Sequence, residues 1–149
     1  MSLQNDIMTA MKTAMKEKNQ TALAALRAVK AEILLAQTAS GSKEELTEEQ
    51  EIKILSKMVK QRRDSADIFL EQNRKDLALP EIDQAEVISQ FLPEALSEEE
   101  IEKVVAITIE KTGAQGMKDM GKVMGIVSKE LAGQADGKTI SSIVKAKLS

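Results

Sequence analysis

Apolar residues recur at steps of three and four along almost the whole chain, and this spacing constrains the fold most strongly. Leu3, Ile7 and Met11 show it at the beginning, and later segments repeat it. Such a period places the apolar side chains on one side of an α-helix. Only two prolines and seven glycines occur among 149 residues, few for a β-rich protein with many turns. The sequence therefore predicts an all-α protein.

The chain is predicted to form an N-terminal helical bundle over residues 1–93. Ser2 caps a first helix, and residues 19–21 separate it from a second one. A Ser-Gly-Ser loop follows at residues 40–42, and Thr47 then opens a long third helix through a capping box with Gln50. We expect the inward side to hold Ala14, Met15, Leu23, Leu26, Val29, Ile33, Leu34, Ile52, Leu55, Val59, Ala66, Phe69, Ile82, Val87, Ile88, Phe91 and Leu92. Pro80 predicts either the start of a new helix or a kink in a continuing one.

After Pro93 the pattern predicts a small three-helix domain over residues 94–149. Its first helix begins with a capping box of Ser97 and Glu100 and ends at Gly113. A second helix is expected from about Met117 to Ala132, and a short last helix follows Asp136. Their apolar side is predicted to hold Ile101, Val104, Val105, Thr108, Ile109, Ile140, Ile143, Val144 and Leu148.

The composition excludes several kinds of chemistry. The chain has no Cys and no His, so disulfides, thiolate nucleophiles, histidine bases and Cys/His zinc sites are impossible. We expect no metal and no cofactor. The most apolar early stretch, residues 21–39, contains Arg27, Lys30 and Glu32, too many charges for a membrane span. No secretory leader is visible, and we expect a cytoplasmic protein.

Charge is segregated along the chain. Residues 1–42 carry a net charge of +2, residues 43–110 carry −9, and residues 111–149 carry +4. A basic end on an acidic body is consistent with a phosphate-binding surface confined to that end, or with a solvated lysine face. In the third helix, Lys53, Lys57 and Lys60 share one face. They can bind a phosphate backbone or form ion pairs with nearby acids. Two spacings of four residues allow such pairs, Lys60 with Asp64 and Arg63 with Asp67.

Gly121 and Gly125 lie four residues apart in a segment predicted to be helical. Each glycine costs about 1 kcal/mol relative to alanine inside a helix. Close packing of another helix would compensate this cost, and so would close approach of an RNA backbone to the bare face. Both alternatives stay open on the sequence alone.

Two further patterns predict no catalytic site. Residues 133–138, Gly-Gln-Ala-Asp-Gly-Lys, form a turn into a helix, but neither a Walker loop nor a GxGxxG motif occurs. Ser141 and Ser142 with Lys145 have the composition of a Ser/Lys hydrolase site. A short terminal helix offers neither a deep pocket nor an oxyanion hole for it.

Four stretches together resemble the GatB/YqeY family, specifically the stand-alone YqeY-like proteins. They are residues 26–33, residues 60–66 with 74–77, residues 91–93 with 96–101, and residues 119–125 with 133–138. The last stretch is the most specific. YqeY-like proteins share it with the tail of the B subunit of glutamine-dependent aspartyl/glutamyl-tRNA amidotransferase. Pro80 departs from the family pattern.

The resemblance implies an all-helical, two-part fold and an accessory protein that binds tRNA, in connection with a transamidation system. The family label extends to carbon–nitrogen ligase activity with glutamine as amido donor, but nothing among these residues supports independent catalysis. The candidate tRNA contacts are the lysines of the basic end: Lys118, Lys122, Lys129, Lys138, Lys145 and Lys147. The alternative is a protein–protein adaptor that docks a partner helix on the Gly121/Gly125 face or on the nearby methionines.

Overall fold

The structure, a computed structural model, describes residues 2–39, 41 and 45–149. That part of the chain contains seven α-helices and no strand, which confirms the prediction of an all-α fold. The helices are α1 (Leu3–Lys16), α2 (Gln20–Ala39), α3 (Glu48–Glu71), α4 (Lys75–Ser89), α5 (Glu98–Thr112), α6 (Met120–Glu130) and α7 (Gly137–Leu148), with a 3₁₀ turn at Met117–Asp119 directly before α6.

Side-chain caps set where the predicted helices begin. The Thr47 hydroxyl accepts a hydrogen bond from the backbone N–H of Gln50 at 3.2 Å, and the Gln50 side chain accepts one from the Thr47 N–H at 2.9 Å. Ser97 and Glu100 form the same reciprocal pair at the start of α5, with both distances at 3.3 Å. Both capping boxes are therefore confirmed. They satisfy backbone donors that a helix start otherwise leaves free.

The predicted break between α1 and α2 exists but lies two residues earlier than expected, at residues 17–19, because Gln20 and Thr21 already belong to α2. Lys18 adopts a left-handed backbone with φ of 56°, and the Asn19 side chain accepts the N–H of Ala22 at 3.0 Å. Of the predicted loop at residues 40–42, only Gly41 lies within the described residues, with φ of 67°.

Pro80 lies inside α4, and it therefore does not start a new helix. The helix begins at Lys75, after a turn at residues 72–74. Proline has no N–H to donate, so the carbonyl of Asp76 loses its usual helical partner. Asp76 is exposed, so water can take that place. Arg74 binds the Asp76 carboxylate through Nε and Nη2 at 3.1 and 3.0 Å, and this hydrogen bonding lowers the pKa of Asp76.

The chain divides into two compact units, Met1–Leu92 and Pro93–Ser149. The first unit buries aliphatic side chains contributed by all four of its helices. Its fully buried large residues include Ile7, Leu26, Val29, Leu55 and Ile88. The Arg62 side chain adds a polar link between α3 and α4 because its Nε donates to Gln84 Oε1 at 3.0 Å.

Two residues that were expected inside this unit are exposed. Leu34 has 59% of its surface exposed, and Met15 also has 59%. Both follow a residue that is buried, Ile33 and Ala14. One step along a helix turns the side chain by about 100°, which is enough to leave the core. The prediction was wrong at these two positions because the apolar run is wider than the buried stripe.

The second unit has its own aliphatic core between α5, α6 and α7. It comprises Ile101, Val105, Val123, Val127, Leu131, Ile140, Val144 and Leu148. The loop between α6 and α7 is tied to the segment before α5, because the Leu96 N–H donates to the Gln134 carbonyl at 2.9 Å. Thr108, which is buried, donates its hydroxyl to the Val104 carbonyl at 2.8 Å.

A pair of leucine substitutions tests this division between core and surface. Leu55 is 1% exposed, so Leu55→Ala is expected to lower the free energy of unfolding by about 2–5 kcal/mol. Leu34→Ala removes the same atoms from an exposed side chain and is expected to change the free energy of unfolding by about 0.5 kcal/mol or less. Urea unfolding followed by circular dichroism measures both. Equal losses for the two variants would contradict the burial described above.

Candidate functional site

The segment that leads into α6 is shaped by one carboxylate, that of Asp119. Its Oδ2 accepts the backbone N–H of Gln115 at 2.8 Å, and its own N–H donates to the Gly116 carbonyl at 3.2 Å. Gly116 has φ of 75°, a conformation that favours glycine. These contacts produce the 3₁₀ turn that holds Lys118. Asp119 was not among the predicted site residues, although its position four residues after Gln115 is compatible with this contact.

The predicted helix over Met117–Ala132 is therefore shorter than expected. Its α-helical part covers Met120–Glu130, and Leu131 to Gln134 form a turn in which Gly133 has φ of 80°. Leu131 stays buried at the end of the helix. After the helix, the apolar spacing continues because Leu131 stays buried in the turn, whereas the 3₁₀ turn before the helix holds no buried residue.

One side of α6 carries lysines and glycines, and we call this side the Lys–Gly face. At about 100° per residue, Gly121, Lys122, Gly125 and Lys129 fall within an arc of about 100°. All four are exposed, and Lys118 extends the row at its beginning. The opposite side of the helix buries Val123 and Val127 against α5 and α7. Burial of the valines thus directs the Lys–Gly face away from the core.

The two glycines of this face are not required by packing within the unit. An ideal Cβ placed on Gly121 or on Gly125 would meet no atom within 4 Å. Among the described residues of this unit, no helix packs closely enough on either glycine to compensate its cost, as the first alternative required. The other alternative, approach of an external backbone to a bare helix surface, stays a prediction.

Carboxylates are few in the sequence around the Lys–Gly face. Residues 111–149 contain three acids, Asp119, Glu130 and Asp136. Asp119 is engaged as described, and Asp136 accepts the Thr139 N–H at 2.7 Å as the cap of α7. Glu130 lies roughly a third of a turn from Lys129, outside the arc. Within α6 itself, the Lys–Gly face therefore carries no acid between its lysines.

The three lysines of α7 do not form one row. Lys138 and Lys145 lie on the same side of the helix, whereas Lys147 is turned by about 180° from Lys138. All three are exposed. The six candidate lysines are thus divided between the Lys–Gly face, one side of α7 and a separate position at Lys147.

Lys138 also lines an open groove of about 370 Å³ between the beginning of α5 and α7. Its other lining residues are Glu98, Glu102, Thr139, Ser142, Ile143 and Ala146. The two glutamates give Lys138 acidic neighbours in this groove. The sequence does not indicate this contact, because residues 98 and 138 are far apart along the chain. The glutamates would repel a phosphate group at Lys138.

The serine pattern of α7 has an ordinary structural role. The Ser142 hydroxyl donates to the Lys138 carbonyl one turn earlier, at 3.1 Å. Ser141 and Ser142 are adjacent in a helix and so point about 100° apart. This arrangement does not place a nucleophile against a base in an enclosed pocket.

On α3, one of the two expected ion pairs forms. Lys60 and Asp64 lie 3.0 Å apart, with 74% and 59% of their side chains exposed. Among the described residues, Arg63 and Asp67 form no ion pair.

Among the described residues, no three Asp or Glu side chains lie close enough together to hold a metal ion. Within the same residues, no helix is both long enough and apolar enough to cross a membrane.

Comparison with known proteins gives a family match and two relatives. Residues 4–148 match the family model described as Yqey-like protein. The chain is 43% identical over 79 residues to a glutamyl-tRNA(Gln) amidotransferase subunit of Thermococcus gammatolerans, a match that covers 50% of the chain and only 13% of that relative. It is 31% identical over 145 residues to the mitochondrial protein altered inheritance of mitochondria protein 41 of Pyrenophora tritici-repentis, covering 92% of the chain and 78% of that protein.

A pair of glycine substitutions tests the open surface of α6. Gly121→Ala and Gly125→Ala combined are expected to raise the free energy of unfolding by about 1–2 kcal/mol, because both sites are helical and the added methyl groups meet no atom. Thermal unfolding measures the change.

Gly113→Ala is the matched control. Gly113 ends α5 with φ of 66°, where alanine is strained, so this variant is expected to be destabilised. A loss of stability in the Gly121/Gly125 variant would show that these glycines are packed after all.

Proposed function

The chain belongs to the YqeY-like family, and from this premise we propose that it is an accessory protein that binds structured RNA, tRNA above all, through its C-terminal unit. The name of the archaeal relative connects a homologous segment to an amidotransferase that acts on glutamyl-tRNA. Because the match spans only 13% of that relative, the activity of the whole relative does not transfer to the chain. What we carry over is a transamidation context and a tRNA partner.

The observation that carries the proposal is the Lys–Gly face of α6. Lys118, Lys122 and Lys129 offer three cations in one row, and Lys122 lies about 10 Å from Lys129 along the helix axis. The bare backbone at Gly121 and Gly125 lets a sugar–phosphate chain approach more closely than any side chain would allow. Such a surface suits recognition of an RNA backbone by charge and shape.

The composition favours folded RNA over single strands. Proteins that bind single strands stack the bases on aromatic side chains, and the chain has no Trp, no Tyr and only two Phe. A helix with cations along one side is better matched to the regular backbone of a helical RNA. We therefore place tRNA ahead of unstructured RNA as the partner.

We propose a supporting role in transamidation, without independent catalysis. Carbon–nitrogen ligase chemistry with glutamine as donor needs groups that activate and transfer an amide. The Lys–Gly face offers cations and bare backbone, which bind phosphate and do not transfer acyl groups. A protein partner that supplies the chemistry is part of this proposal. Sustained product formation from glutamine, ATP and mischarged tRNA by the pure chain would overturn it.

We retain the cytoplasm as the proposed location. The name of the fungal relative places that protein in mitochondria, so the two compartments are the ones to distinguish. Both contain tRNA, and the proposed function is compatible with either of them.

Charge reversal on the Lys–Gly face tests the proposal. In the triple variant Lys118→Glu, Lys122→Glu and Lys129→Glu, tRNA binding is expected to weaken at least tenfold at about 0.1 M salt. The dependence of log K on log salt should become shallower by about two to three, because each lost phosphate contact removes one released counterion. Titration of tRNA at several salt concentrations measures both quantities, and duplex DNA of similar charge serves as competitor.

The matched control reverses three exposed lysines of the N-terminal unit, Lys12, Lys16 and Lys30, to glutamate. It changes the net charge by the same amount, so an effect of total charge alone would weaken both variants equally. Unchanged tRNA binding by a folded Lys118/Lys122/Lys129 variant would remove this face as the RNA site.

A second candidate function is a protein–protein adaptor, and the exposed apolar residues beside the Lys–Gly face favour it. Met117 is 44% exposed and Ile126 is 40% exposed. A partner helix could lie across the bare glycines and cover both side chains.

Capture after nuclease treatment distinguishes the two functions. An adaptor should still retain its partner protein when RNA has been digested, and Ile126→Asn, which adds no charge, should abolish that retention. An RNA-binding protein should lose the associated proteins on digestion, and Ile126→Asn should leave most of its tRNA affinity intact.

A further inference from the structure

The charges on the exposed side of α3 are sorted by sign along the helix. Three lysines come first and three acids follow, and we call these six residues the α3 ridge: Lys53, Lys57, Lys60, Asp64, Asp67 and Glu71. All six are exposed. From Lys53 to Glu71 the ridge extends about 27 Å.

The ridge has the spacing of a helix–helix contact line. Its residues follow one another at alternating steps of four and three, the steps that keep side chains along one seam when two helices pack lengthwise. The opposite side of α3 is occupied by Leu55, Val59 and Ala66, which are buried in the first unit. The ridge is therefore the outward seam of a helix whose inward side is already used.

Within a single chain this order of charges is poorly compensated. Lys57 has lysines three and four residues away, and these neighbours of like sign repel. Asp67 has acids at the same distances and Arg63 four residues before it, but among the described residues Arg63 and Asp67 form no ion pair. The acids also lie toward the carboxyl end of the helix, where the helix dipole disfavours them. Among the described residues, Lys60 and Asp64 form the only ion pair within the ridge.

A second copy of the chain would compensate the ridge in one particular register. The six positions are symmetric about residue 62: Lys53 corresponds to Glu71, Lys57 to Asp67 and Lys60 to Asp64. Two antiparallel copies related by a two-fold axis at that point bring every lysine opposite an acid of the other chain. An interface of this kind is closed and uses the same surface on both partners.

We propose that the α3 ridge is a self-association surface on which a second copy of this chain docks antiparallel, with the three lysines of each copy facing the three acids of the other. The acidic half argues against RNA as the occupant, because it would repel phosphate along half of the ridge. The equal length of the two halves fits a partner with the same sequence. Exposed ion pairs contribute little each, so the association is weak and sensitive to salt.

Sedimentation of the full chain at about 0.5 mM protein tests the proposal. The wild-type chain is expected to form dimers at about 0.02 M salt and monomers at about 0.5 M salt, because the Debye length shortens severalfold. Wild-type protein that stays monomeric at low salt would overturn the proposal.

Two charge reversals sharpen the test. One variant combines Lys53→Glu, Lys57→Glu and Lys60→Glu, and the other combines Asp64→Lys, Asp67→Lys and Glu71→Lys. Each variant carries charges of a single sign along the whole ridge. Each alone is expected to be monomeric at low salt, and an equimolar mixture of the two is expected to restore a salt-sensitive dimer. Dimers formed by either variant alone, or no association in the mixture, would place the contact elsewhere. Circular dichroism checks that both variants are folded.

Disulfide crosslinking between introduced cysteines tests the register of the two helices, because the chain contains no cysteine of its own. A Lys57→Cys chain mixed with an Asp67→Cys chain is expected to form the mixed disulfide under mild oxidation. Two copies of the Lys57→Cys chain should not crosslink, because their sulfurs would lie about 15 Å apart along the ridge. Efficient crosslinking of residue 57 to residue 57 would show a parallel pair and contradict the proposal.

Binding of tRNA provides the last discrimination. The Lys53/Lys57/Lys60 variant is expected to bind tRNA with less than a threefold change, measured in parallel with association. If that variant loses tRNA binding and the wild-type chain shows no dimer, these lysines are an RNA contact, and the self-association proposal is wrong. The Lys118/Lys122/Lys129 variant should still dimerise, so the proposed function and this inference fail independently.

Discussion

Every feature of this protein depends on helices that cannot bury their apolar side alone. The helix α6 has 11 residues, below the length at which an isolated helix is stable in water. It persists because Val123 and Val127 pack, without exposed surface, against α5 and α7. The same requirement gives the first unit its core between four helices. Each unit thus has its own aliphatic core and its own outward helix faces.

Burial on one side of a helix decides what the other side presents. On α6 the buried valines leave Lys122, Lys129 and two glycines facing outward, with Lys118 in the turn before the helix. Asp119 and Asp136 are engaged with backbone N–H groups. A surface of cations with bare backbone is suited to a polyanion. The family relationship, together with the name of the archaeal relative, makes tRNA the first polyanion to test.

In α3, too, burial of one side leaves the other side exposed, but the exposed charges differ from those of α6. Its outward side carries sorted charges of both signs, where the outward side of α6 carries one sign. A single-signed surface fits a partner of uniform opposite charge, and a sorted surface fits a partner with the reverse order, which an antiparallel copy supplies. The two surfaces belong to different units and suit different partners, so the residues of one can be substituted without changing those of the other.

The sequence by itself determined the all-α fold, the capping boxes at Thr47 and Ser97, and the break before α2, because these depend on contacts between residues three or four apart. It also identified the lysines and glycines of α6 as candidates. Tertiary structure alone decided that Leu34 and Met15 are exposed and that Lys138 shares a groove with two glutamates. It also decided that, within the described part of the chain, a Cβ on Gly121 or Gly125 would meet no atom within 4 Å. The physical reason is that a helical period gives the direction of a side chain, whereas its burial depends on which neighbours arrive from distant parts of the chain.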